Sequence, residues 1–128
     1  MQIDLTDKKF VWTGRALSGL ASFPFLISGA MKLVARAKVV EAMKPLGLPE
    51  SILTTIAVLE LLSVAVYLAP RTAVLGAILV TGYLGGTILT HLRVGEHVTM
   101  NVTLGILVWL GLYLREPRLR DLIPLRKL

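Results

Sequence analysis

Four stretches of the chain, 11–34, 52–69, 72–92 and 98–114, are nearly uninterrupted runs of apolar and small residues. Each approaches the roughly 20 residues that a helix rising about 1.5 Å per residue needs to cross a hydrocarbon core about 30 Å thick. Blocks of this kind carry more apolar surface than one small soluble core can hide. With 55% hydrophobic residues in 128, the sequence predicts an integral membrane protein. Period-two alternation is absent, so the expected fold is all-α: a four-transmembrane-helix bundle forming one domain over 1–128.

The connections are legible too. Asp4 and Thr6 to Lys9 precede the first run. Pro70, Arg71 and Thr72 form a very tight turn between the second and third, and Pro117 stops the last helix. The longest connection, 35–51, mixes Val39, Val40, Met43 and Leu46 with Arg36, Lys38, Glu41 and Lys44. This pattern suits a short interfacial helix ended by Pro45 and the Gly47-Leu48-Pro49 turn.

Charge placement sets an expected orientation. Four spans put both termini on one side, together with Lys8, Lys9, Arg15, Arg71, Arg115, Arg118, Arg120, Arg126 and Lys127. The other side holds Lys32, Arg36, Lys38, Lys44 and Arg93. The positive-inside rule then places both termini in the cytoplasm of a multi-pass inner-membrane protein. The net charge of +6 fits anchoring on anionic headgroups, with Arg15 as one phosphate anchor. Nucleic-acid binding is disfavoured, because the basic residues flank spans instead of forming a patch with stacking aromatics.

Against this background Glu60 stands out, because no other charged residue lies between Glu50 and Arg71. A carboxylate at that depth costs about 2.5–3.5 kcal/mol to insert unless protein or a wet cavity surrounds it. Ser28 and Lys32 are one turn apart on the first span, and Tyr83, Thr87 and His91 recur every four residues on the third. Asn101 opens the fourth. All of these fall in the outer half, while the inner half reads as nearly all aliphatic. The expected site is therefore an outward-facing polar pocket with Glu60 at its floor, Lys32 as electrostatic partner, His91 as proton partner, and Ser28, Thr87, Tyr83 and Asn101 around them. The alternatives stay open: Lys32 as a snorkelling residue at a helix end, His91 as a boundary residue, and Glu60 as a carboxyl that locks packing.

Small residues account for closure of the bundle. Gly14, Ser18 and Ser22 repeat every four residues on the first span, and Gly82 with Gly86 makes a G-x-x-x-G on the third, both permitting close backbone contact. Catalytic signatures are missing: there is no Walker loop, no G-x-S-x-G elbow, no H-E-x-x-H and no cysteine. A metal site and a haem are unsupported by two histidines in one loop region, and the isolated chain leans away from being an enzyme.

Several short motifs in order resemble the DoxX-like membrane proteins. They are Ser28-Gly29-Ala30-Met31-Lys32-Leu33, Leu46-Gly47-Leu48-Pro49, Leu59-Glu60-Leu61 and Tyr67-Leu68-Ala69-Pro70-Arg71-Thr72. Further on come Gly82-Tyr83-Leu84-Gly85-Gly86, Thr90-His91-Leu92-Arg93-Val94-Gly95 and Gly111-Leu112-Tyr113-Leu114-Arg115. The resemblance implies a four-helix inner-membrane protein, with Lys32, Glu60 and His91 at the matching positions for a site. The family name comes from a subunit of a thiosulfate:quinone oxidoreductase, so the implied ligand is quinone- or lipid-like and the implied setting a redox complex. Any redox role needs an external electron source, since the chain has no redox centre of its own. The expected partners are the lipid bilayer and either membrane-protein subunits or a second copy in a homodimer. Two other function classes remain: a proton-coupled small transporter built on one intramembrane carboxylate, and an accessory or structural subunit of a membrane complex.

Overall fold

A computed structural model describes residues 5–126 and 128; Asp4, read above as preceding the first run, and Lys127, assigned to the side of the termini, lie outside the described residues. Six α-helices follow in order: α1 (Leu5–Val34), α2 (Arg36–Met43), α3 (Leu53–Leu68), α4 (Ala73–Arg93), α5 (Thr99–Arg115) and α6 (Pro117–Arg120). The described residues contain no strand. Three helical stretches, Lys8–Val34, Glu50–Leu68 and Pro70–Arg93, are long and apolar enough to cross a membrane. The expected count of four is thus met by length for three. With 17 residues, α5 reaches only about 25 Å, a little short of a hydrocarbon core.

Element boundaries follow local chemistry. The first helix begins at Leu5, upstream of the expected start at 11, because 5–10 holds no Gly or Pro to interrupt it. It continues through Pro24 to Val34. Helix α2 forms inside the long connection, passes into a 3-10 turn at Lys44–Leu46, and ends at Gly47, whose φ of 71° lies in the left-handed region that glycine enters without a Cβ clash. The tight turn between α3 and α4 is a single 3-10 turn, Pro70–Thr72, in which Thr72 Oγ1 donates to the Val66 carbonyl at 2.8 Å. Helix α5 stops at Arg115, and Pro117 then occupies the first turn of α6, where its missing N–H costs nothing.

The four long helices pack in a ring: α1 against α3 and α5, and α4 against α3 and α5. The core is built from small and medium side chains, among them Ala21, Ala57, Val64, Ala77, Val80, Val108 and Leu112, with Phe25 and Tyr67 as its large members. Outward-facing positions are apolar as well, with Leu20, Phe23, Leu62, Leu75, Leu89, Met100 and Ile106 all exposed. Apolar residues on both faces are what a lipid-solvated helix requires.

Glycines divide into two groups. A Cβ on Gly14 would lie 2.6 Å from the Gly111 carbonyl oxygen, and one on Gly111 would lie 2.6 Å from Ser18 Oγ, so α1 and α5 meet backbone to backbone along the Gly14–Ser18 stripe. A Cβ on Gly76 would lie 2.1 Å from the Tyr67 backbone, which fixes how closely α4 folds back on α3. Gly82 and Gly86 behave differently from expectation: a Cβ on either meets nothing within 4 Å. Their G-x-x-x-G closes no helix contact, because that face of α4 looks into open space.

Candidate functional site

Antiparallel packing of α1 and α3 brings the last two turns of α1 level with the middle of α3. Ser28 and Lys32, four residues apart on one face, thereby meet Glu60. Lys32 Nζ lies 2.6 Å from Glu60 Oε2 and donates to Ser28 Oγ at 2.6 Å, while Ser28 Oγ lies 3.3 Å from the same carboxylate oxygen. The triangle is secluded, with side-chain exposures of 3% for Glu60 and 12% for Lys32. Across the ring, Tyr83 on α4 lines the same cavity as Glu60 and sets its ring edge-on to Phe25, with centroids 6.4 Å apart.

The other expected members are placed as follows. Thr87, one turn beyond Tyr83, accepts a hydrogen bond from Asn101 Nδ2 at 2.9 Å, which links α4 to the start of α5. Thr87 in turn donates to the Leu84 carbonyl at 2.9 Å. His91, one turn further on, has its Nδ1 2.6 Å from Glu96 Oε2 in the loop after α4. Among the described residues no hydrogen bond joins His91 to Glu60, so the carboxylate that engages this histidine is not the one expected. Glu96 escaped notice because it sits past Gly95, whose φ of 78° turns the chain back toward the helix.

All seven residues line one cavity of about 670 Å³. The polar groups, Thr90 among them, come from all four long helices. The remaining walls are apolar: Leu59 and Ile56 from α3, Leu104 from α5, and Val39, Ala42, Met43, Leu46 and Leu48 from α2 and the turn after it. Gly82 and Gly86 also line it, and the missing side chains there are part of what makes the space. A crevice of about 530 Å³ on the far side of α1, bounded by Phe23, Ile27 and Met31, shares Pro24, Ser28, Lys32 and Val39 with the cavity.

The segment over the cavity is braced at two points. Arg36 donates through Nη1 to Thr54 Oγ1 at 2.9 Å and places Nε 3.3 Å from Glu50 Oε1, tying the start of α2 to the start of α3. Arg93, at the end of α4, donates to the Leu46 carbonyl.

The opposite end of the ring corrects the expectation of an almost purely aliphatic half. The Tyr67 hydroxyl is buried 2.9 Å from Ser18 Oγ and 2.7 Å from the Val108 carbonyl oxygen. Arg115 donates through Nη2 to the Tyr67 carbonyl at 2.9 Å and lies 4.8 Å over the Tyr67 ring centroid. The clue available in the sequence was Ser18 at helical spacing from Gly14, which reads first as packing.

These features define a membrane protein of packed apolar helices with a buried ion pair on a cavity wall. The chain belongs to the DoxX-like family, whose model matches residues 16–111. No curated protein and no solved structure matches it.

Proposed function

We propose that this DoxX-like protein binds a small amphipathic molecule, quinone- or lipid-like, in the cavity beside the Lys32–Glu60 pair. The observation that carries this reading is the combination of a secluded Lys32–Ser28–Glu60 triangle with an adjoining cavity of about 670 Å³ whose other walls are largely apolar. Ligand sites commonly consist of apolar walls with a few convergent polar groups that fix orientation. Glu60 and Tyr83 would hydrogen-bond the polar head, and Leu59, Ile56 and Leu104 would take the apolar body. Electrons for any redox role would come from a partner subunit, because the ligand alone supplies an acceptor.

In this proposal α5 completes a four-span bundle in the inner membrane, both termini are cytoplasmic, and α2 lies in the outer interface above the cavity. The basic residues at the chain ends and at Arg71 support that orientation. The contact between Lys32 and Glu60 weighs against a cation-coupled exporter, since the carboxylate already has a cation.

Native mass spectrometry of the detergent-purified protein with its retained lipids tests the proposal, followed by thermal-shift titration with quinones and with lipids. Binding that weakens in Glu60→Gln while the variant stays folded supports it. Equal affinity of Glu60→Gln and the parent for every ligand tried overturns it.

A further inference from the structure

The end of the ring remote from Glu60 holds a second cavity of about 290 Å³, lined by Arg15, Ser18 and Gly19 of α1, by Leu68 and Pro70 around the α3–α4 turn, and by Arg115 and Glu116 at the end of α5. Arg15 is 17 residues from Lys32, or about 25 Å along α1, so this space is separate from the cavity described above.

Its chemistry is cationic. Neither Arg15 nor Arg115 belongs to an ion pair among the described residues. Arg15 rests on Trp12, 5.0 Å from the ring centroid, which leaves its N–H groups uncommitted. Arg115 is fixed by Tyr67 through Nη2, yet its Nε is buried without a hydrogen-bond partner, alone in this respect among the side-chain nitrogens and oxygens of the described residues. A buried donor on a charged group calls for an acceptor. Glu116, the one carboxylate on the lining, accepts from the Arg118 amide at 3.3 Å as the cap of α6, against two arginines on the same lining.

We infer that this cavity binds a phosphate group, with Arg15 and Arg115 as its two donors. Guanidinium groups match phosphate oxygens in planar, paired hydrogen bonds. At this size the cavity takes a headgroup and leaves acyl chains outside, along the exposed apolar faces of α1 at Leu20 and Phe23.

The test uses the full chain in neutral detergent, with phosphatidylglycerol, diacylglycerol of the same acyl chains, and inorganic phosphate as separate probes. Phosphatidylglycerol is expected to raise the unfolding temperature and to stay bound in native mass spectrometry, whereas diacylglycerol does neither. Arg15→Gln is expected to weaken phosphatidylglycerol binding about tenfold, the loss of one charge-assisted contact. Arg71→Gln, which removes the same charge from a residue off the lining, changes it less than about twofold. Because Arg115 also holds Tyr67, Arg115→Lys serves as the second variant: it keeps the charge, loses the fork, and weakens binding again. Protection by millimolar inorganic phosphate that is lost in Arg15→Gln identifies a free phosphate as the source, with the same two arginines. Equal stabilisation by phosphatidylglycerol and diacylglycerol, or an Arg71→Gln effect as large as that of Arg15→Gln, overturns the inference. The Arg15→Gln effect on phosphatidylglycerol binding is expected in the Glu60→Gln background as well, so failure here and failure of the first site are distinguishable.

Discussion

Lys32 on α1 and Glu60 on α3 meet at 2.6 Å with Ser28 beneath them, a charged pair secluded from solvent between two apolar helices. Removing one member strands the other. Lys32→Met is expected to lower stability by about 3–5 kcal/mol, the usual cost of breaking a buried pair from one side. The double variant Lys32→Met with Glu60→Met recovers most of that loss while abolishing ligand binding. Thermal unfolding in detergent of both single variants and the double variant checks this. Additive losses would show that the two residues do not act as a pair.

Gly82 and Gly86 separate cavity volume from charge. Neither has a neighbour within 4 Å of a built Cβ, and both line the cavity. Leucine at either position fills space without touching the ion pair, and it raises helix propensity by up to about 1 kcal/mol. The expected result is a fold at least as stable as the parent, with ligand affinity reduced at least tenfold. Undiminished affinity in both leucine variants would place the ligand elsewhere.

The opposite behaviour is expected at Gly14 and Gly76. Alanine at either would put its Cβ against backbone, 2.6 Å from the Gly111 oxygen in one case and 2.1 Å from the Tyr67 nitrogen in the other. Helix backbones must separate to admit it, at a cost of about 1–3 kcal/mol. A fall in unfolding temperature for both, set beside the tolerance at Gly82, is the observation to seek.

Tyr67→Phe tests the polar cluster at the other end. The hydroxyl lies within hydrogen-bond distance of Ser18 Oγ and the Val108 carbonyl oxygen while fully buried, so its removal leaves both without that partner. The expected loss is about 1–3 kcal/mol. Phenylalanine at this position with unchanged thermal unfolding would mean that those groups find other partners.

The His91–Glu96 contact is expected to matter little for stability. Both side chains are partly exposed, at 31% and 47%, and pairs of that kind contribute about 0–1 kcal/mol. Glu96→Gln should therefore unfold within a few degrees of the parent, and His91→Asn should weaken ligand binding less than Glu60→Gln does. The reverse order of the two binding effects would restore His91 as the principal polar contact.

The pairing of Lys32 with Glu60 was accessible from sequence because it depends on depth and on one helical repeat, both countable along the chain. The family was accessible because its short motifs keep their order. Which way each helix is rotated was not. The Tyr83–Thr87–His91 repeat marks one face of α4, yet it does not reveal whether Gly82 and Gly76 face a neighbour or a void, and the answers turned out opposite. Glu96 and the α4–α2 brace belong to loops, where positions depend on turns at Gly47 and Gly95 instead of on a repeat. The length of α5 shows a similar limit: hydropathy marks an apolar run, and the count of 17 residues leaves its crossing to be decided by its packing between α1 and α4.

The contact from Arg93 to the Leu46 carbonyl joins the roof of the cavity to the helix that carries Tyr83, Thr87 and His91. With Arg36 fastening the other end of α2 to α3, the roof is a strut between two walls. A molecule that spreads α3 from α4 must pull on that strut, and raising the strut must spread the walls. A proposed ligand that spreads α3 from α4 is thus expected to displace α2 as well, and a probe on α2 would report its binding.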